Sequence, residues 1–190
     1  MWRRMACVLP FVLLAAAPAA AGVFDERKAQ CIACHGENGV SQTPAVPSLG
    51  GQPNLFVLYQ LVGFRDGQRK FDIMNGMMKD MSDDDLRAAA DFIGTLPAPP
   101  KPAAAPDAAR FARGKALAEK NRCGFCHLPD FSGRDQIPRL AHQREDYLLK
   151  ALRDYKSQTR FGGGAMMNEV LFALNDDDLA ALAYFMAHAP

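Results

Sequence analysis

Apolar residues along the chain recur at helical spacing in two series, one on each side of a stretch that no helix can cross. The first series predicts a helix over Phe24 to Gln30, a second around Leu55 to Phe64 and a third opening after Ser82 in "SDDDLRAAADFIGTL". The second series predicts helices over Phe111 to Asn121, around Tyr147 to Tyr155, and after Asn175 in "NDDDLAALAYFMAHA". Ser82 and Asn175 are good N-caps, and the three aspartates after each suit the positive end of a helix dipole. Neighbouring aspartates on a helix do not converge on one ion, so these triplets read as caps and not as metal sites. The apolar faces of the middle segments read as core.

Between the two series the chain reads "LPAPPKPAAAPD", with prolines at 97, 99, 100, 102 and 106. Such a segment favours an extended polyproline conformation and acts as a semi-rigid spacer. The sequence repeats itself across it. "PSLGGQPNLFVLYQLVGFRDGQR" from Pro47 matches "PRLAHQREDYLLKALRDYKSQTR" from Pro138 at an offset of 91, pairing Gln52 with Gln143 and Arg69 with Arg160. "MNGMMKDMSDDDLRAAADFI" from Met74 matches "MNEVLFALNDDDLAALAYFM" from Met167 at an offset of 93. The repeat predicts two mainly helical domains, residues 22–96 and 107–190, joined by a linker at 97–106.

The first residues, Met1-Trp2-Arg3-Arg4, precede the apolar run "CVLPFVLLAAAP" and the small residues "AAAG". That order is the pattern of a secretory signal, with cleavage expected after Ala21 and export of the remainder. The apolar run is too short for a membrane span. Removing the leader takes Arg3, Arg4 and Cys7 with it and leaves 20 basic against 21 acidic residues, a net charge of −1. This balance speaks against a nucleic-acid partner. Charge is uneven between the halves. Residues 22–98 carry 7 basic and 10 acidic side chains, and residues 99–190 carry 13 and 11, or −3 against +2. Such a dipole can steer a partner protein.

Four cysteines then remain, as "CIACH" at 31 to 35 and "CGFCH" at 123 to 127, offset by 92. In an exported protein two disulfides are the plain reading, but they leave the histidines unexplained. A zinc knuckle is poorly served by a histidine directly after the second cysteine. Two thiols about one helical turn apart can instead add to the vinyl groups of a haem, with the following histidine beneath the iron. The pattern therefore predicts covalent haem attachment at Cys31, Cys34, Cys123 and Cys126, with His35 and His127 as proximal ligands. Each haem is expected to form much of its domain's core, because halves of this size are near the limit for apolar burial alone.

For the second axial position the repeat selects Met74 and Met167, which lie 39 and 40 residues after the two histidines and eight before Ser82 and Asn175. A thioether is a soft ligand that favours ferrous iron. Met166 is the rival to Met167, while Met77, Met78 and Met81 lack matched methionines and read as core filling. The carbonyls of Pro47 and Pro138, 12 and 11 residues after the histidines, are placed to accept the other imidazole proton. His142 and His188 have no counterparts and read as solvent-exposed non-ligands.

The stretches "CIACHGENG", "PSLGGQ" and "MNGMMKDMSDDDL", with their counterparts "CGFCHLPD", "PRLAHQ" and "MNEVLFALNDDDL", resemble the dihaem cytochrome c4 family over nearly the whole exported chain. The resemblance implies an all-α fold of two tandem class I cytochrome c domains, each wrapped around one covalent haem c, with the haems facing each other. It implies a periplasmic electron carrier without catalytic residues, working between a quinol-oxidising complex or other donor and a terminal oxidase or reductase, with transient docking to membrane complexes. Carried onto this chain, the haem-binding residues are Cys31, Cys34, His35, Met74, Cys123, Cys126, His127 and Met167. The alternative is a haem subunit of a periplasmic oxidoreductase such as a flavocytochrome c sulfide dehydrogenase. Two departures stand out: "LPDFSG" follows the second motif where glycine follows the first, and His142 replaces a glycine of "GGQ".

Overall fold

The computed structural model describes residues 22–160, 162 and 164–190; the expected leader lies outside them. Among these residues the regular structure is helical, with a lone bridge between Arg134 and Ile137 as its one extended pairing. The helices are α1 (Val23–His35), α2 (Asn54–Arg65), α3 (Asp72–Met78), α4 (Asp83–Gly94), α5 (Ala108–Lys120), α6 (Cys123–His127), α7 (Glu145–Lys156), α8 (Gly164–Leu171) and α9 (Asp176–Ala187). Helix α5 with α6 corresponds to α1, α7 to α2, α8 to α3 and α9 to α4, and corresponding helices pack on corresponding partners in the two halves, in keeping with the repeat.

The aspartate triplets act as caps. Ser82 Oγ accepts from Asp85 N at 3.1 Å while Asp85 Oδ2 accepts from Ser82 N at 3.0 Å. Asn175 and Asp178 close the same box at 3.0 and 3.2 Å. In both boxes the third aspartate also reaches the helix that opens its half. Asp85 Oδ1 accepts from Phe24 N of α1 at 3.0 Å, and Asp178 pairs with Arg113 of α5 at 2.9 Å. The capping carboxylates thus lock each first helix onto each last one.

Each half has its own apolar cluster. In the first, Phe24, Leu61, Phe64, Leu86 and Ile93 bring α1, α2 and α4 together; in the second, Leu148, Leu179, Leu182 and Phe185 join α7 to α9, with Ala118 from α5. The α5–α9 crossing is close because Gly114 has no side chain: a Cβ there would stand 2.1 Å from Ala181 O and 2.5 Å from Phe185 Cβ.

Four features differ from the sequence reading. Helices α3 and α8, which carry the candidate methionines, were not anticipated as helices. The helix entering the second motif breaks where α1 runs on unbroken. Asn121 Nδ2 donates back to Leu117 O at 2.8 Å and Arg122 turns left-handed at φ 53°, so the motif forms its own short turn, α6. His142 is not solvent-exposed: it is half-buried, with Nδ1 3.1 Å from Pro99 O of the linker and Nε2 2.9 Å from Ala189 O near the C-terminus. It keeps the backbone conformation of the glycine it replaces, φ 61° against 67° at Gly51, and uses its ring to hold the linker down. His188 is half-buried too, bonded to Tyr184 O at 2.9 Å and packed against the Tyr184 ring at a tilt of 35°.

Candidate haem sites

Cys31, Cys34 and His35 occupy the last turns of α1, and Cys123, Cys126 and His127 make up the frame of α6. Spacings of three and four residues put the three side chains of each motif on one helical face, which is what joint attachment to one macrocycle requires. No disulfide joins these four cysteines. Burial pushes the thiols of Cys31 and Cys123 up, so both are uncharged near neutral pH. After each histidine the chain turns at positive φ. Gly36 does so at φ 86°, ψ 145° and Leu128 at φ 68°, ψ 157°. The missing glycine in the second half therefore leaves the turn unchanged, though at a conformation a leucine adopts only under strain.

Both imidazoles are buried, His35 at 8 % and His127 at 7 % exposure. Nδ1 of His35 lies 2.8 Å from Pro47 O and Nδ1 of His127 lies 2.9 Å from Pro138 O. A carbonyl accepts only, so each Nδ1 carries the proton and each Nε2 is left as the lone-pair donor. Burial lowers the pKa of both rings, the carbonyl bonds oppose it, and the Arg69 charge lowers His35 further. Neutral, oriented imidazoles are the form that binds a metal.

Met74 on α3 and Met167 on α8 are partly buried and pack against the core of their own halves, whereas Met166 is 66 % exposed. Met78 and Met81 are deep in the first core, as their lack of matched partners suggested. Asn75, next to Met74, anchors α3: Nδ2 donates to Phe64 O at 2.6 Å and Arg69 O at 2.8 Å, and Oδ1 accepts from Phe71 N at 2.7 Å. The sequence reading passed over this residue, although Asn168 stands at the matched place in the second half.

The halves meet over polar contacts that the repeat pairs had foreshadowed only as pairs. Gln52 bonds the backbone of Arg139, and Gln143 bonds the backbone of Ser48. Nearby, Arg69 Nη2 and Arg160 Nη2 both donate to Tyr147 Oη, at 3.2 and 3.0 Å. Tyr147 is partly exposed as a residue but its hydroxyl is enclosed. Burial pushes the phenol up, and the Arg160 and Arg69 guanidiniums outweigh that and bring it down to about 7.

This cluster tests whether the site fits haem. Arg69 and Arg160 converge on the Tyr147 phenol, with Arg69 also donating to Gln60 Oε1 at 2.7 Å and Arg160 also bonded to the Tyr155 phenol. Among the described residues no carboxylate forms an ion pair with either, and Arg160 Nε is buried without a hydrogen-bond partner. A buried charge is stable only when paired. Two buried guanidiniums with donor capacity left over suit anionic oxygens of the kind haem propionates carry, and Arg69 lies close enough to act on His35. The residues present fit the group.

Two helical halves, each offering two thiols and a carbonyl-oriented imidazole on one face, define a dihaem c-type cytochrome, an electron-transfer protein. Comparison with known proteins agrees. Residues 111–190 match the family model described as cytochrome c, and residues 15–93 match the one described as cytochrome C oxidase, cbb3-type, subunit III. The chain is 32 % identical to the thiosulfate dehydrogenase electron acceptor of Thiomonas intermedia, over 100 % of this chain and 92 % of that one. It is 32 % identical to cytochrome c4 of Pseudomonas aeruginosa, covering 90 % and 89 % of the two chains. The crystal structure of reduced recombinant cytochrome c4 from Pseudomonas stutzeri superposes with a TM-score of 0.78 at 28 % identity, over 88 % of this chain and 97 % of that one. The chain belongs to the cytochrome c4 family, and it carries two covalently bound haem c groups, one at each Cys-x-x-Cys-His site.

Proposed function

We propose that this protein is a periplasmic electron carrier, exported by a leader at residues 1–21, with domains at 22–96 and 107–190 and a strap at 97–106. In this reading His35 and Met74 hold one iron and His127 and Met167 the other. Each haem, when bound, supplies an iron that gains or loses one electron. The protein's part is to bury it, fix its ligands and set its potential.

The observation that carries the reading is the matched pair of imidazoles, each with Nδ1 on a proline carbonyl at 2.8 and 2.9 Å, and each accompanied by a core-packed methionine in register. His35 with Met74, and His127 with Met167, would hold each iron by two protein side chains, and an iron so held would supply electron transfer rather than ligand chemistry. Arg69, Arg160 and Tyr147 are the groups to receive propionates at the junction of the halves. No described helix is long and apolar enough to cross a membrane.

Donor and acceptor are redox proteins met over small, charge-steered contacts, consistent with the −3 and +2 halves. The donor is a quinol-oxidising complex or a periplasmic dehydrogenase, and the acceptor a terminal oxidase or reductase. A relative named for accepting electrons from thiosulfate dehydrogenase favours the dehydrogenase as donor, and with it the second reading, a lasting subunit of such an enzyme.

The test is the optical spectrum of the ferrous protein before and after carbon monoxide. No change is expected in the parent or in Met166→Ala. Met167→Ala should make half of the haem absorbance respond, and Met74→Ala the other half. A parent that binds carbon monoxide at either haem overturns the ligand set and points to catalysis.

A further inference from the structure

The peptide group between Pro47 and Ser48 faces two ways. Its carbonyl oxygen lies 2.8 Å from His35 Nδ1, and its N–H, which belongs to Ser48, donates to Gln143 Oε1 of the other half at 2.8 Å. The peptide between Pro138 and Arg139 repeats the arrangement. Its carbonyl lies 2.9 Å from His127 Nδ1 and its N–H donates to Gln52 Oε1 at 3.0 Å. A trans peptide is planar with C=O and N–H on opposite sides, so each imidazole and each glutamine sit at the two ends of one conjugated unit.

The amides have no freedom to reverse. Gln143 Nε2 donates to Ser48 O at 2.7 Å and Gln52 Nε2 donates to Arg139 O at 3.0 Å. Gln143 Oε1 also accepts from Arg144 N at 3.0 Å. In each side chain the oxygen meets only backbone donors and the nitrogen a backbone acceptor, which fixes which end is oxygen. Gln143 is 4 % exposed, Ser48 2 % and Gln52 8 %.

We propose that each glutamine is a positioning residue for the haem of the opposite half: Gln143 tunes the iron held by His35, and Gln52 the iron held by His127. An acceptor on the peptide N–H draws the amide proton outward and leaves more negative charge on the carbonyl oxygen. Hydrogen bonds in a chain strengthen one another in this way. The richer carbonyl pulls harder on the Nδ1 proton, the imidazole becomes a stronger donor, and ferric iron is favoured. Removing the glutamine therefore raises the potential of the haem in the other half. The inference rests on His35 and His127 being the iron ligands.

The experiment uses the full dihaem protein and its Gln143→Leu and Gln52→Leu variants, with each haem's potential read from its own paramagnetic NMR signals during a redox titration. Gln143→Leu should raise the reduction equilibrium constant of the first haem about threefold, or about 28 mV at 59 mV per tenfold, and leave the second within a third of that shift. Gln52→Leu should do the reverse. The hyperfine-shifted Nδ1 proton of the affected histidine should move with the potential. Gln→Met at the same positions keeps more of the volume and serves if the leucine variants do not yield holoprotein. Equal shifts at both haems, or a shift at the variant's own half, overturn the relay, because a loosened interface would act on both. Absence of hyperfine-shifted imidazole protons in the parent overturns the ligand assignment and the relay together.

Discussion

Replacing Gly114 with alanine should destabilise the C-terminal half, even though alanine is the better helix former. The new methyl group would lie 2.1 Å from Ala181 O and 2.5 Å from Phe185 Cβ, against an ordinary contact of about 3.4 Å or more. The nearer obstacle is backbone of α9, so no side-chain rotation relieves it, and α5 must move outward by about an ångström, opening the packing around Ala118 and Phe185. Overpacking of this kind costs about 1–3 kcal/mol, and a shift that strips core contacts belongs at the upper end. Alanine returns about 1 kcal/mol of helix propensity. The net is about 2 kcal/mol, or a fall of about 8–16 °C in the midpoint for a half of this size. Gly76 on α3 provides the control, since a Cβ there meets nothing within 4 Å and its alanine variant should gain up to about 1 kcal/mol. Thermal unfolding of the ferric holoproteins, followed by Soret circular dichroism, compares the two. A Gly114→Ala midpoint equal to or above the parent's would show that the close crossing carries no stability and would refute the reasoning.

Asp85 gives a pH dependence of definite sign. The Ser82 hydroxyl, followed by the Phe24 and Ser82 N–H groups, holds its carboxyl below the usual range. Its contribution is therefore complete above the ordinary carboxylate pKa of about 3.9 and lost as pH falls through the lower folded value. Asp85→Asn should cost about 1 kcal/mol near neutrality and flatten the acid limb of a midpoint-against-pH plot; an unaltered limb would count against the clamp. Substituting alanine at both Cys31 and Cys34 should abolish cooperative unfolding of the N-terminal half in calorimetry, because that half then loses its haem and much of its core. His142→Ala should free the linker, at about 1 kcal/mol for a lost hydrogen bond, and speed elastase cleavage at alanines 103 to 105 by about fivefold. Equal cleavage rates would mean that the ring does not restrain the strap.

What could be read from the sequence is what depends on neighbours along the chain. The attachment motifs, the capping of α4 and α9 and the proline carbonyls behind His35 and His127 all follow from spacing and from a repeat that states each feature twice. Helix α3 escaped because it spans only seven residues, "DIMNGMM", with a glycine inside and too little length for a period. The break before α6 carries no glycine or proline; it is made by Asn121 folding back and Arg122 turning left-handed. His142 was misjudged for a different reason. Its partners are 43 and 47 residues away, on the linker and the C-terminus, and a histidine in place of a glycine gives no local sign of them. The repeat marked Gln52 with Gln143 and Arg69 with Arg160 as equivalents, yet equivalence along the chain does not say that each will serve the opposite half.

The exchanged glutamines have one more consequence. Gln52 reaches residue 139, which is the counterpart of residue 48, and Gln143 reaches residue 48 itself. Contacts that map onto themselves when the partners are swapped are those of an isologous two-fold interface, the kind that joins identical subunits. The polyproline strap is thus a tether on an interface that is self-complementary without it. Its effect is to replace dilution-dependent pairing with a fixed local concentration, so that the two haems stay within exchange of each other however scarce the protein becomes.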